Sequence, residues 1–397
     1  MRNTYQNTYI VASVRTAVGK APQGMLRHVR PDDMGAAVVR GAMAQLPALS
    51  PDQIEDVIMG CAMPEAEQGY NLGRVIAHRA GLPPSVPGMT VNRLCSSGLQ
   101  TIAMAHQAIS LGQAEVMVAG GVESMSLIPM GGDRWSPNPV MMAEMPQVYT
   151  SMGLTAENVA AQFEISREDQ DGFALRSHQK ALNAIAAGHF TDEIIPLPVT
   201  DTVYQDGHTH TQETVFQVDE GPRADTNLAA LAALPPVFRR GGSVTAGNSS
   251  QMSDGAAATI LMGENKVREL NLTPMARLLG FAVAGVPPQI MGIGPVEAVP
   301  KVLKQVGLSL NDMGLIELNE AFAAQSLAVI RKLGLNLDRV NVNGGAIALG
   351  HPLGCSGAKL TATLLHEMKR RRIRYGMVTM CIGGGMGAAG VFENLLL

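Results

Sequence analysis

Paired cysteines are missing from this 397-residue chain. Its four cysteines, Cys61, Cys95, Cys355 and Cys381, stand apart without CxxC or CxH spacing. That argues against a zinc site or a secreted disulfide framework, and for a reducing compartment. Long basic runs are missing too. The formal charge is −4, and RRRIR at 370–374 is the one cationic cluster, read as a solvated helix end with an anionic ligand as the alternative. No nucleic-acid partner is expected. No apolar run reaches the ~18 residues of a membrane span, MRNTYQNTYIVASVRT has neither a signal-peptide core nor an Arg/Ser-rich transit pattern, and the final NLLL is not a peroxisomal signal. A cytoplasmic protein is expected.

What is present is 46% apolar content over a length that can bury a large core in two or three domains. Strand-like runs (YIVASV at 9–14, DVIMG at 56–60, EVMVAGG at 115–121) alternate with helix-like stretches at 33–46, 69–80 and 97–111. Alternation of this kind predicts an α/β domain with a mainly parallel sheet. From about 122 to 245 the pattern breaks. A Met-, Pro- and Gly-rich stretch is followed by an amphipathic helix capped by Ser166 and by a polar loop, YQDGHTHTQET, which reads as a large insertion. Beyond it the alternation resumes and echoes the first half. Each half runs strand, small-residue turn, helix, strand, glycine-rich end, so two similar units would bring their turns to a shared cleft.

Chemistry-bearing residues collect at those turns. Cys95, in VNRLCSSGLQTIAMA, falls where a strand gives way to a helix, and unpaired N–H groups there favour a thiolate. A buried, inert cysteine is the alternative. Asn319 and Glu320 in LNEAFAAQ follow the strand MGLIEL, as reactive groups or as a helix cap and acidic first turn. His351 lies between glycines in GGAIALGHPLGCSGAK, as a hydrogen-bond donor or an ordinary loop histidine. Cys381 ends a strand and abuts three glycines whose N–H groups could cradle an oxyanion. GMGAAG in that segment matches the dinucleotide fingerprint formally, but too little chain follows Gly390 for the required βαβ unit. His208 and His210 in DGHTHTQ lack a third metal ligand, and no metal is expected. Two thiols with a histidine and an asparagine suit carbon–sulfur acyl transfer.

Together NRLCSSGLQ, GGVESMS, MGLTAENVA, VTAGNSSQMSDGAAA, NEAFA, GGAIALGHPLGCSGAK and CIGGGMGAA resemble the thiolase family, in order and over nearly the whole chain. The resemblance implies a thiolase fold: two βαβαβαββ halves in a five-layered α/β/α/β/α arrangement. Its domains would be 1–121 plus 246–273 (N-terminal half), 122–245 (a loop domain covering CoA) and 274–397 (C-terminal half). It implies that Cys95 is the acylated nucleophile and Cys381 the acid/base. His351, with a water held by Asn319, would face the CoA thioester oxygen, and the N–H groups of Cys95 and Gly383 the other carbonyl. It places Ser250 at the pantetheine, Arg223 near the adenine nucleotide and Phe238 along the same groove, each with an ordinary loop residue as the alternative. Met152 joins these substrate contacts, and with Met252 and Met386 it is a candidate lining of an acyl tunnel, or plain core filler.

The resemblance further implies acyl-CoA and CoA as substrates with no resident cofactor, a homodimer or homotetramer, and a possible multienzyme partner in β-oxidation. One departure matters. The acetoacetyl-CoA-forming branch resembles HMGxTAENVA, whereas this chain has Ser151 before Met152. That favours thiolytic cleavage of 3-ketoacyl-CoA over condensation of two acetyl-CoA. The other rivals are a ketoacyl synthase, against which a second cysteine at 381 argues, and an inactive thiolase-like lipid-binding protein, against which the complete reactive set argues.

Overall fold

The computed structural model describes residues 6–205 and 208–397; Asp206 and Gly207 of the polar stretch, and the first five residues, lie outside the description. The N-terminal half supplies strands β1 (Thr8–Arg15), β2 (Asp56–Gly60), β3 (Gly88–Val91), β4 (Val116–Ser124) and β5 (Ser253–Gly263). Helices α1 (Pro31–Ala44), α2 (Leu72–Arg79) and α3 (Ser97–Ser110) connect the first four strands. Between β4 and β5 lie α4 (Met152–Gln162) and α5 (Arg167–Ala186). The C-terminal half supplies β6 (Ala276–Gly285), β7 (Leu315–Leu318), β8 (Tyr375–Ile382) and β9 (Met386–Asn394), with α6 (Gly294–Val306), α7 (Ala323–Leu333) and α8 (Ser356–Arg371).

The two halves repeat one strand order. It is β3-β2-β4-β5-β1 in the first and β7-β8-β9-β6 in the second, and they join edge to edge through the single pair Ile10–Ala276. The sheet is mixed rather than mainly parallel. β2 pairs parallel with β3 and β4, and β7 with β8, but β5, β1, β6 and β9 run antiparallel to their neighbours. The final strand of the second half returns by a tight hairpin and that of the first by way of the insertion, and each runs antiparallel to the strand before it. In the second half the strand that would match β3 shrinks to one bridge, Ile316–Val340. There Asn341 adopts a left-handed backbone (φ 45°), and its side-chain amide takes over the pairing: it accepts from Leu318 N and donates to Leu318 O, each at 2.8 Å.

Three apolar layers fill the spaces. Val38, Val39 and Ile76 of α1 and α2 pack on Val57, Val118 and Ile260 outside the first half-sheet. Val302, Leu327 and Ile330 of α6 and α7 pack on Ile316, Leu318 and Met377 outside the second. Leu99 and Ile102 of α3 and Leu360 and Leu364 of α8 share the middle, touching Met117 on one side and Val378 and Met380 on the other. The order is α/β/α/β/α. At the centre, α3 and α8 cross with backbone against backbone. A Cβ at Gly98 would meet the backbone of Ala358, and one at Gly357 would meet that of Leu99. Glycine at both positions brings the N-terminal ends of the two helices together.

The stretch read as a polar loop is instead a β-hairpin, Leu197–Gln205 with His208–Phe216. Residues 208–215 are all exposed, so the stretch carries no apolar alternation to betray a strand. His208 and His210 stand on its outer strand.

Candidate active site

Cys95 sits in a short 3₁₀ turn, Leu94–Ser96, that leads directly into α3. Leu94 takes a left-handed backbone (φ 46°), unusual for a branched aliphatic residue. Asn92 holds it there, accepting from Leu94 N at 2.8 Å and donating to Ala62 O at 2.9 Å. Ala62 N in turn donates to Glu123 at 2.8 Å, and the same buried carboxylate accepts from Met63 N, from Gln68 at 2.7 Å and from Gly354 N at 2.7 Å. Glu123 therefore ties the cysteine turn of the first half to the His351 loop of the second. Burial pushes the Glu123 carboxyl above its ordinary range, against the pull of these donors.

The backbone N–H groups of Gly383 and of Cys95 itself lie near enough to the Cys95 sulfur to favour its charged form. They lower its pKa, but burial outweighs them, and the thiol is pushed up to about 11. This corrects the expectation of a resting thiolate. The helix begins two residues beyond Cys95, and desolvation of a residue that is only 8% exposed exceeds what two N–H dipoles return. Cys381, at the end of β8, is raised further, by burial first and by the nearby Cys95 second. It packs with Ala156, Val244, Met291, Ala321 and Phe322. The glycine turn after it, with Gly384 and Gly385 at positive φ, carries the Gly383 N–H to Cys95.

His351 is buried (4% exposed), with its ring held at both nitrogens. Nδ1 is in short contact with Ser356 Oγ, and Nε2 lies 3.2 Å from Asn319 Nδ2. Burial first and the Lys359 ammonium second push its pKa down to about 3, so the imidazole is neutral. Asn319 Oδ1 is buried without a hydrogen-bond partner among the described residues. Glu320 turns away from this group: it accepts from Ser177 at 2.6 Å, from Asn341 at 2.8 Å and from Ile347 N at 3.2 Å, so it braces the loop.

Two cavities serve the site. A groove of about 520 Å³ is lined by Arg223, Phe238 and Ser250, as expected, and also by Lys20, His178 and Met252. A pocket of about 480 Å³ includes Cys95 and Gly383 in its wall with Met63, Met130, Trp135 and Met152. Met152 therefore lines the pocket of Cys95 and not the groove, while Met252 lines the groove. Met386 packs against the middle layer instead. Sequence reasoning missed His178, whose Nδ1 accepts from Arg223 N at 3.1 Å, and the aromatic pair Trp135–Tyr149. Both lie in the insertion, where no periodicity singles them out. At 370–374, Arg370 and Arg371 pair with Glu367, and Arg374 pairs with Glu393.

Comparison with known proteins agrees with this geometry. The family description "Thiolase, N-terminal domain" matches residues 8–265, and "Thiolase, C-terminal domain" matches 272–394. A protein of Bacillus subtilis named 3-ketoacyl-CoA thiolase is 56% identical over 385 residues, covering 97% of this chain and 98% of its own. A crystal structure of the Bacillus anthracis acetyl-CoA acetyltransferase superimposes with a TM-score of 0.89 at 43% identity, covering 99% of this chain and all of the other. Human mitochondrial 3-ketoacyl-CoA thiolase, solved in complex with CoA, does so at 0.87 and 41%, covering 98% of each chain. With both domains matched in sequence and both half-sheets in structure, this chain belongs to the thiolase family.

Proposed function

We propose that this chain cleaves 3-ketoacyl-CoA with CoA, giving acetyl-CoA and an acyl-CoA shortened by two carbons through an acyl-Cys95 intermediate. The observation that carries the reading is the pair of cavities. Cys95, with two N–H donors at its sulfur, stands in the wall of an apolar pocket, and a separate groove bears the cations Lys20 and Arg223. The groove suits the phosphates and pantetheine of CoA, which is a co-substrate; no resident cofactor enters the scheme. The pocket suits an apolar tail. Ser151 lies in its wall, where the acetoacetyl-CoA branch would put a histidine.

The protons balance with Cys95 as a thiol and Cys381 entering the cycle as a thiolate, the minor form that its burial makes costly. Cys95 attacks the 3-keto carbon as its proton passes to Cys381, and the oxyanion that forms is met by the N–H groups of Cys95 and Gly383. The C2–C3 bond breaks to leave an enolate on the acetyl-CoA fragment. His351 and a water held by Asn319 Oδ1 stabilise its oxygen. Cys381 then returns the proton to C2. In the second half-reaction Cys381 takes the proton of incoming CoA, the CoA sulfur bonds to the acyl carbon and displaces the Cys95 sulfur, and the proton passes from Cys381 to Cys95.

The wider setting follows the same reading. No helix among the described residues is long and apolar enough to cross a membrane, which accords with a cytoplasmic site of action. Exposed Met130, Trp135, Val140, Met142 and Met145 on the insertion, with the half-exposed edge strand β3, suit burial in a homodimer or homotetramer. A multifunctional β-oxidation subunit is a candidate partner for the same apolar surface. The deciding test is loss of 3-ketoacyl-CoA enolate absorbance on adding CoA, with C4 and C10 substrates compared. Cleavage of both, with C10 at least comparable, is expected. Activity confined to C4 would replace this reading with the acetoacetyl-CoA one, and no activity would leave a binding protein.

A further inference from the structure

The neutral imidazole of His351 has one proton and two nitrogens, and both nitrogens are engaged. Nε2 meets Asn319 Nδ2, whose amide oxygen is orphaned, and Nδ1 meets the hydroxyl of Ser356, the first residue of α8, which is 1% exposed. Two proton arrangements satisfy the Ser356 contact. In one, Nδ1–H donates to Ser356 Oγ, whose hydroxyl donates to Pro352 O at 2.8 Å, and Nε2 accepts from Asn319. In the other, the Ser356 hydroxyl turns to donate to Nδ1, and Nε2 carries the proton.

Only the second arrangement can serve an enolate. An oxyanion set against the bare lone pair of Nε2 would be repelled, whereas Nε2–H would donate to it. Turning the hydroxyl does not orphan Pro352 O, which also accepts from Cys355 N at 3.1 Å and Ser356 N at 2.9 Å, and Nε2–H, which finds no acceptor in Asn319 Nδ2, is left to donate to the enolate oxygen. Nδ1 must then accept a hydrogen bond, and among the described residues Ser356 is its one partner. The surroundings keep the ring from escaping the choice by taking a second proton. The Lys359 ammonium, 2% exposed and bonded to Gly350 O at 3.1 Å, lies one turn along α8 from Ser356 and disfavours an imidazolium.

We propose that Ser356 is a positioning residue for the thiolytic reaction: its hydroxyl donates to His351 Nδ1 when a CoA thioester is bound, and so holds the imidazole as the Nε2–H tautomer that faces the thioester oxygen. The proposal rests on the placing of His351 at that oxygen. It adds the group that decides which nitrogen bears the proton, a role neither the glycine-flanked loop nor the cysteines can fill.

The test combines rates with a direct reading of the tautomer. Ser356→Ala should lower kcat by about tenfold to a hundredfold with KM little changed, since the loss falls on charge that develops in the reaction. Ser356→Thr, which keeps the hydroxyl, should recover most of it. In Cys95→Ala enzyme labelled with 15N-histidine and saturated with acetyl-CoA, His351 should show a protonated Nε2 and an unprotonated Nδ1. Adding Ser356→Ala should mix the two tautomers. A protonated Nδ1 in the acetyl-CoA complex, or Ser356→Ala turnover within twofold of wild type, would overturn the proposal. The spectrum needs no turnover, so it decides the matter even where a rate is lost to misfolding. A wild-type enzyme that cleaves no 3-ketoacyl-CoA would instead overturn the functional reading.

Discussion

Gly383 presents its backbone N–H to the sulfur of Cys95 across the join between the two halves of the molecule. The donor comes from the glycine turn after β8, the acceptor from the turn before α3, and burial still keeps the sulfur protonated. Alkylation of Cys95 by iodoacetamide should therefore rise about tenfold per pH unit between 7 and 10, with a midpoint near 11. Mass-spectrometric quantification of the Cys95 adduct reads this out. A midpoint at the ordinary thiol value of about 8.5 would show that burial does not raise it, and one below neutral pH that the site stores a thiolate.

Cys381→Ala should separate the two roles given to sulfur. The variant should still form acyl-Cys95 from a reactive thioester, seen as a mass increment, while turnover falls by roughly 10²–10⁴ for want of the acid/base. Near-normal turnover would remove Cys381 from proton transfer. An increment persisting in Cys95→Ser would place the acyl group elsewhere.

Asn319→Asp puts a carboxylate beside His351 Nε2 and where the enolate charge develops. We expect a loss of about 10²-fold in kcat with modest change in KM, measured by thiolysis of a C4 substrate. An unchanged rate would dismiss the water that Asn319 Oδ1 is proposed to hold.

Ser151→His should narrow the pocket that contains Cys95. The ratio of kcat/KM for C10 over C4 substrates should fall at least tenfold, with the C4 value nearly preserved. Equal losses on both chain lengths would mean that the tail runs elsewhere.

Acid should weaken the fold through His351. Its folded pKa of about 3 is below the ordinary 6.5, so above pH 6.5 the ring is neutral whether the chain is folded or not. Below that pH the unfolded chain takes up a proton that the fold refuses. The group's contribution is then lost by up to about 1.4 kcal/mol per pH unit down to about pH 3. Buried His178, pushed down to about 4 by burial and then by Arg223, adds to the same trend over a shorter window. Urea midpoints measured from pH 7 to 4 should fall less steeply in His351→Gln. Parallel slopes would assign the acid sensitivity to other groups.

The sequence exposed the reactive residues because Cys95, His351 and Cys381 stand in short strings with glycine close by and Asn319 directly follows a strand, and the order of those strings carries the family. It did not expose what supports them. Glu123, Ser356 and Lys359 act on segments distant in the chain or through a hydroxyl orientation, and neither leaves a periodic trace. The missing edge strand at Val340 is invisible for a related reason: one asparagine side chain imitates a peptide group. The Cys95 expectation failed because a helix start can be read from sequence, whereas the desolvation that overrides it depends on the whole surrounding wall. Met152, a candidate for both the CoA contacts and the acyl tunnel, lines the pocket of Cys95 and not the groove.

The glycine-to-glycine crossing of α3 and α8 has a mechanical corollary. With no side chain to act as a spacer, neither helix can slide or tilt without colliding with the other's backbone, so the cysteine turn and the histidine loop are carried on one stiff strut. Whatever must yield to admit a substrate and release two products is then the insertion between β4 and β5, which forms much of the walls of both cavities. Chemistry and access are thereby assigned to different parts of the chain, and the second can vary with the length of the acyl tail while the first stays fixed.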